Sequence, residues 1–171
     1  NEVDRAMKFS RTLEELNRSG GRGLILFSSQ QELKWFKASI ASNSYEFPIL
    51  FEGDKEISSL VKEFQQHEES VLCAVHLWEG LDIPGPSLSN VIIWTLPYPP
   101  EDPVFEAKKS DKKDPFMEVD LPYMILRLRQ GMGRLIRTSE DNGSITIFIG
   151  EHDQSVMDQI RAVLPVEPII G

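Results

Sequence analysis

Continuous apolar runs that alternate with amphipathic stretches predict an α/β fold: a largely parallel open sheet with helices on both faces. Three observations carry that expectation. Residues 24–27, 71–75 and 91–96 are apolar with almost no polar interruption, which is how strands covered on both faces are written. Polar turns lead from such runs into stretches with helical spacing, as after Phe27 and Phe51. The 171 residues, 40% hydrophobic and 26% charged, suffice for one domain with a real core and leave little for a second.

In chain order, Val3, Met7, Leu13 and Leu16 mark one face of a first helix, which the run Gly20-Gly21-Arg22-Gly23 ends. The strand at 24–27 leads through Ser28-Ser29-Gln30 into a helix over 30–41, opened by a serine followed three residues later by Glu32. A strand at 47–51 and a helix at 56–66 repeat the pattern, and the strand at 71–75 follows. The strand at 91–96 must stop at Pro97-Tyr98-Pro99-Pro100, because proline cannot donate to a sheet ladder. Residues 101–118, rich in lysine and acid, read as an exposed, partly mobile excursion. Asp120 reads as the cap of a helix with Pro122 in its first turn and Tyr123, Met124, Ile125, Leu126 and Leu128 on its buried side. A strand at 144–150 and a helix at 153–164 close the pattern.

Composition narrows the function classes. A formal charge of −9 argues against holding nucleic acid by bulk electrostatics, although Arg127, Arg129, Arg134 and Arg137 gather locally. The single Cys73 lies inside an apolar run and can form no internal disulfide, which fits a reducing, cytoplasmic setting. His67, His76 and His152 are scattered, so no zinc or iron–sulfur signature exists, and no apolar run is long enough to span a bilayer. The chain opens on Asn1 rather than methionine and reads as a piece of a longer polypeptide.

In a parallel sheet ligands collect beyond the carboxyl ends of the strands, here at Ser28-Ser29-Gln30, at residues 76–85 and at 97–100. The second of these loops offers Trp78, Glu79 and Asp82 on a backbone fixed by Gly80, Pro84 and Gly85; Trp78 could stack on a base or belong to the core. If the helix after Asp120 continues far enough, Gln130, Arg134 and Arg137 share one face. Two guanidiniums and an amide so placed suit a phosphate, though a solvated face carries arginines at the same spacing. Gly131 and Gly133 favour the phosphate, because glycine is costly inside a helix and permits close backbone approach.

The stretches 77–85 (LWEGLDIPG), 96–103 (LPYPPEDP) and 130–137 (QGMGRLIR) resemble motif V, its following loop and motif VI of the DinG/XPD-like superfamily 2 helicases. Residues 24–29 (LILFSS) resemble the strand and turn opening the second motor domain of that family, so the resemblance covers about residues 20–149. It implies a RecA-like three-layer domain occupying the whole of 1–171. It implies that Arg134 and Arg137 are arginine fingers, helped by Gln130, for ATP with Mg bound mainly to the other, N-terminal motor domain. Gly80, Asp82, Glu79 and Gly133 would belong to the nucleotide cleft, and Ser28, Ser29 and Trp78 would face single-stranded nucleic acid, DNA by family analogy.

The chain departs from the family at Gly150-Glu151-His152-Asp153, where an aspartate and an arginine are usual. It also lacks a phosphate-binding Gly-x-x-x-x-Gly-Lys-Ser/Thr loop, a Asp-Glu-x-His box and cluster-binding cysteines. The resemblance places such features in the first motor domain of proteins of this kind, so the chain alone is expected neither to hydrolyse ATP appreciably nor to unwind a duplex. The readings to set against an ATP-dependent DNA helicase are a degenerate or regulatory motor region of a nuclease-containing DinG-like protein and a nucleic-acid-binding module without ATP turnover.

Overall fold

The computed structural model describes residues 2–42, 47–67, 69–76, 90–132 and 144–164. Helix α1 (Glu2–Ser19) ends where Gly20 and Gly21 adopt left-handed backbone, with φ +67 and +83. The Gly21 N–H closes the helix on the Leu16 carbonyl at 2.9 Å. A Cβ at Gly21 would lie 1.8 Å from the Glu69 carbonyl oxygen, so only glycine lets α1 turn into the sheet here.

Five parallel strands follow: β1 (Gly23–Leu26), β2 (Ile49–Phe51), β3 (Val71–Ala74), β4 (Asn90–Ile93) and β5 (Ser144–Ile147), in the spatial order β2-β3-β1-β4-β5. Every residue of β1, β3 and β4 is buried, which is why these runs carry no alternation of polarity. Their side chains divide by parity. Leu24, Leu26, Leu72, Val91 and Ile93 pack with helices α3 (Ile57–Gln66), α5 (Leu121–Met132) and α6 (Met157–Val163) through Leu60, Phe64, Met124, Leu128 and Ile160. Ile25, Phe27, Cys73, Ile92 and Trp94 pack with α1 and with α2 (Gln30–Ile40) through Leu16, Leu33, Phe36 and Ile40.

The helical pattern after Asp120 is corrected. A π-helical turn, Phe116–Asp120, precedes α5 without a break, and the Leu121 N–H reaches back to the Phe116 carbonyl. Pro122 cannot donate an N–H and its ring crowds the preceding turn, and a local widening relieves both. Asp120 is therefore not a cap; its carboxylate pairs with Lys109 at 3.1 Å.

The excursion is corrected as well. It contains α4 (Pro103–Lys109), whose N-cap Asp102 accepts from the Phe105 N–H at 3.0 Å, with Pro103 in the first turn. Phe105 and Tyr123 then meet edge to face, with centroids 5.0 Å apart, and tie α4 to α5.

Candidate functional site

Helix α2 follows β1 on one face of the sheet, whereas the chain after the adjacent β4 runs by way of α4 to α5 on the other. Neighbouring strands whose connections part in this way open a crevice beyond their carboxyl ends. Ser28 and Thr95 line it, one from each strand, and their hydroxyls are hydrogen-bonded to each other. Ser29 stands beside them as the N-cap of α2, its Oγ accepting from the Glu32 N–H at 3.2 Å. The rim thus combines hydroxyls with the positive end of a helix dipole, a pairing suited to an anion.

Beneath the rim the structure is closely packed. Trp94 is fully buried, with Phe27 and Phe36 each at 5.4 Å between ring centroids. Its indole N–H donates to a Glu32 carboxylate oxygen at 3.1 Å, and the other oxygen takes Arg5 of α1 at 3.1 Å. Lys8, also on α1, donates to the Trp94 carbonyl at 3.0 Å and lies 5.6 Å from the centre of that ring. Burial pushes the Lys8 ammonium pKa below its usual value, and the Glu32 carboxylate partly offsets this. Glu32 therefore fixes α1, the start of α2 and the end of β4 as one unit.

The loop after β4 is anchored separately. The Tyr98 hydroxyl donates to Asp153 at 3.3 Å, and its ring lies 5.8 Å from Phe116. Burial, with Asp153 close by, pushes the phenol up to about 12. On the far side of the sheet the Glu52 carboxylate accepts from the Val75 N–H at 2.8 Å and from the His76 N–H at 3.1 Å, holding the chain where it leaves β3.

Of the residues singled out from sequence, Ser28 and Ser29 meet at the crevice. Gln130 lies on the last turn of α5, half-buried with its carboxamide oxygen inside, on the face of the sheet that α5 covers. Trp78, Glu79, Gly80, Asp82, Gly133, Arg134 and Arg137 lie outside the described residues. Sequence reasoning missed Thr95 and Glu52, and it read Glu32 only as part of a helix start, not as the partner of Trp94 and Arg5. A hydroxyl ending an apolar run marks Thr95, and an acid between a strand and Gly53 marks Glu52, but their partners follow only from the strand order. Among the described residues no group of acids, histidines and cysteines could hold a metal ion, and no helix is long and apolar enough to cross a membrane.

The model of the helicase C-terminal domain matches residues 12–159. The chain belongs to the helicase C-terminal domain family. A probable ATP-dependent helicase of Bacillus subtilis, YpvA, is 57% identical over 168 residues, spanning 98% of this chain and 26% of that protein. The 3'-5' exonuclease DinG of the same organism is 36% identical over 135 residues, spanning 73% of this chain and 14% of that protein. The chain thus covers about a quarter or less of these curated relatives. A solved structure of XPD in its apo form superposes with a TM-score of 0.72 at 18% identity, over 91% of this chain and 33% of that one. With that likeness the five parallel strands make this helicase C-terminal domain RecA-like.

Proposed function

We propose that this chain is the second motor domain of an ATP-dependent DNA helicase, completing the nucleotide site of a first motor domain and carrying part of the single-strand track. The observation that carries this reading is the crevice between β1 and β4, where Ser28, Ser29 and Thr95 ring the N-terminus of α2. Hydroxyls and helix-terminal amides hold a phosphodiester without reading a base, as a translocating motor requires. Trp78 would add a stacking surface for a base.

Arg134 and Arg137 supply the arginine fingers and Gln130 positions them, while Gly80, Asp82, Glu79 and Gly133 link the nucleotide cleft to the track. Mg-ATP, held mainly by the first domain, provides the phosphoryl group whose departing charge the guanidiniums neutralise. Tighter binding of ATP by the closed pair of domains drives closure, and hydrolysis releases it. The YpvA relative, similar over nearly the whole chain, supports a helicase parent.

The test is Arg134→Ala and Arg137→Ala in the full-length parent, each expected to lower DNA-stimulated ATPase kcat by about a thousandfold. Normal turnover in both variants overturns the finger assignment. The similarity to the exonuclease DinG favours one second reading, a motor region serving a nuclease. Degradation of a 3'-ended strand by the parent, undiminished when both arginines are replaced, would select it.

A further inference from the structure

We propose that Glu52 is a positioning residue of the proposed motor, fixing the course on which the chain leaves β3 toward Glu79, Gly80 and Asp82. The inference rests on the helicase reading above for its functional consequence, but not for its geometry.

The geometry begins with a ladder that stops one rung early. Along the β2–β3 pair the Val71 N–H donates to the Pro48 carbonyl at 2.9 Å, and the Glu52 N–H donates to the Cys73 carbonyl at 2.9 Å. Parallel pairing advances two residues at a time, so the Val75 N–H should next find the main-chain carbonyl of Glu52. It does not, because the chain turns away: Gly53 has φ +100, and the Asp54 N–H closes the turn on the Phe51 carbonyl at 3.2 Å.

The side chain of Glu52 takes the place of its own carbonyl. One carboxylate oxygen accepts from the Val75 N–H at 2.8 Å and from the His76 N–H at 3.1 Å, and the second oxygen stands 3.3 Å from the same His76 nitrogen. A strand carbonyl would have held Val75 alone; the carboxylate holds two successive amides and carries the grip to His76, two residues past the end of β3.

The carboxylate is well placed to be rigid. Only 7% of the Glu52 side chain is exposed, against 70% for His76, whose Nδ1 lies 3.4 Å away. A buried anion persists only where hydrogen bonds replace its water, and two main-chain N–H donors do that here. Because main-chain amides are the donors, the hold fixes backbone direction, whichever side chains follow. The residues that follow within six positions of His76 are those assigned above to the coupling of nucleotide cleft and strand.

The experiment uses the full-length parent with Glu52→Leu, which keeps most of the bulk but offers the two amides no acceptor, and with His76→Ala, which removes the imidazole and keeps both amides. Amide hydrogen exchange reads the hold directly, and DNA-stimulated ATPase reads its consequence. Glu52→Leu should exchange at Val75 and His76 at least about tenfold faster. It should also lower DNA-stimulated kcat about fivefold or more, with the KM for ATP little changed. His76→Ala should match the wild type in both. Unchanged exchange in Glu52→Leu overturns the hold. Faster exchange with full DNA stimulation overturns the positioning role, while loss of turnover in Arg134→Ala keeps the motor reading standing. If Arg134→Ala and Arg137→Ala both turn over normally, the finger reading has failed and the Glu52 result is still decided by its own two measurements. Should Glu52→Leu unfold, Glu52→Asp, which keeps the charge and draws it back by one methylene, is read in the same way.

Discussion

Ser29 has two duties that one substitution can separate. As the N-cap of α2 its hydroxyl satisfies the Glu32 N–H, so Ser29→Ala should cost about 1 kcal/mol in chemical denaturation. Ser29→Asp restores the cap with an oxygen of similar reach and keeps the stability. On the proposed function it also sets a negative charge against a phosphate, so single-strand affinity of the parent should fall about tenfold in an anisotropy titration. Equal affinity of the aspartate variant and the wild type would remove Ser29 from the track. Gly21 is more exacting: its left-handed φ and the Glu69 carbonyl beside it make Gly21→Ala a loss of about 3 kcal/mol. Tyr98 gives a pH signature. Its phenol is held at about 12 against an ordinary 10.0, so the folded state retains a proton that the unfolded chain releases. The stabilisation is complete below pH 10.0 and is lost as pH rises through about 12. A spectrophotometric titration should show a late component that is absent in Tyr98→Phe.

At the scale of elements, α4 depends on Asp102, and Asp102→Ala should speed exchange at Phe105 and its neighbours while the sheet stays protected. Much of this layer was legible. The almost wholly apolar runs at 24–27, 71–75 and 91–96 overlap β1, β3 and β4, because burial on both faces leaves little place for a polar side chain; Asn90, the exception at the head of β4, donates to the Glu15 carbonyl. Ser29 before Glu32 announced α2 by the same capping geometry the structure contains. The stretch 101–118 misled because its lysines and acids outweigh a short signal, Asp102-Pro103, that already spelled a helix start. Asp120 misled in another way. It matches the cap pattern, but a helix that widens ahead of Pro122 runs on through it, and no local pattern separates an aspartate that caps from one that pairs with a lysine on another element.

At the scale of the molecule, the candidate site was half legible. Ser28 and Ser29 could be placed because any strand-to-helix turn in a parallel sheet points at ligand. Thr95 and Glu52 could not, since each acts through a strand distant in sequence: Thr95 on Ser28 across β4 and β1, Glu52 on Val75 across β2 and β3. Charge belongs to this scale too. With −9 overall, the isolated chain should bind single strands weakly, and its affinity should fall as salt rises, because any attraction is confined to a rim. Salt-independent binding in the same titration would contradict that picture. The block of rings under Ser28 and Thr95 has a consequence for how load moves. Trp94, Phe27 and Phe36 fill the space below the hydroxyls, and Lys8 and Arg5 rivet that block to a helix 18 residues long. On the proposed function, a tug delivered at the crevice would meet an anvil rather than a spring and pass to α1 through Lys8 and Arg5.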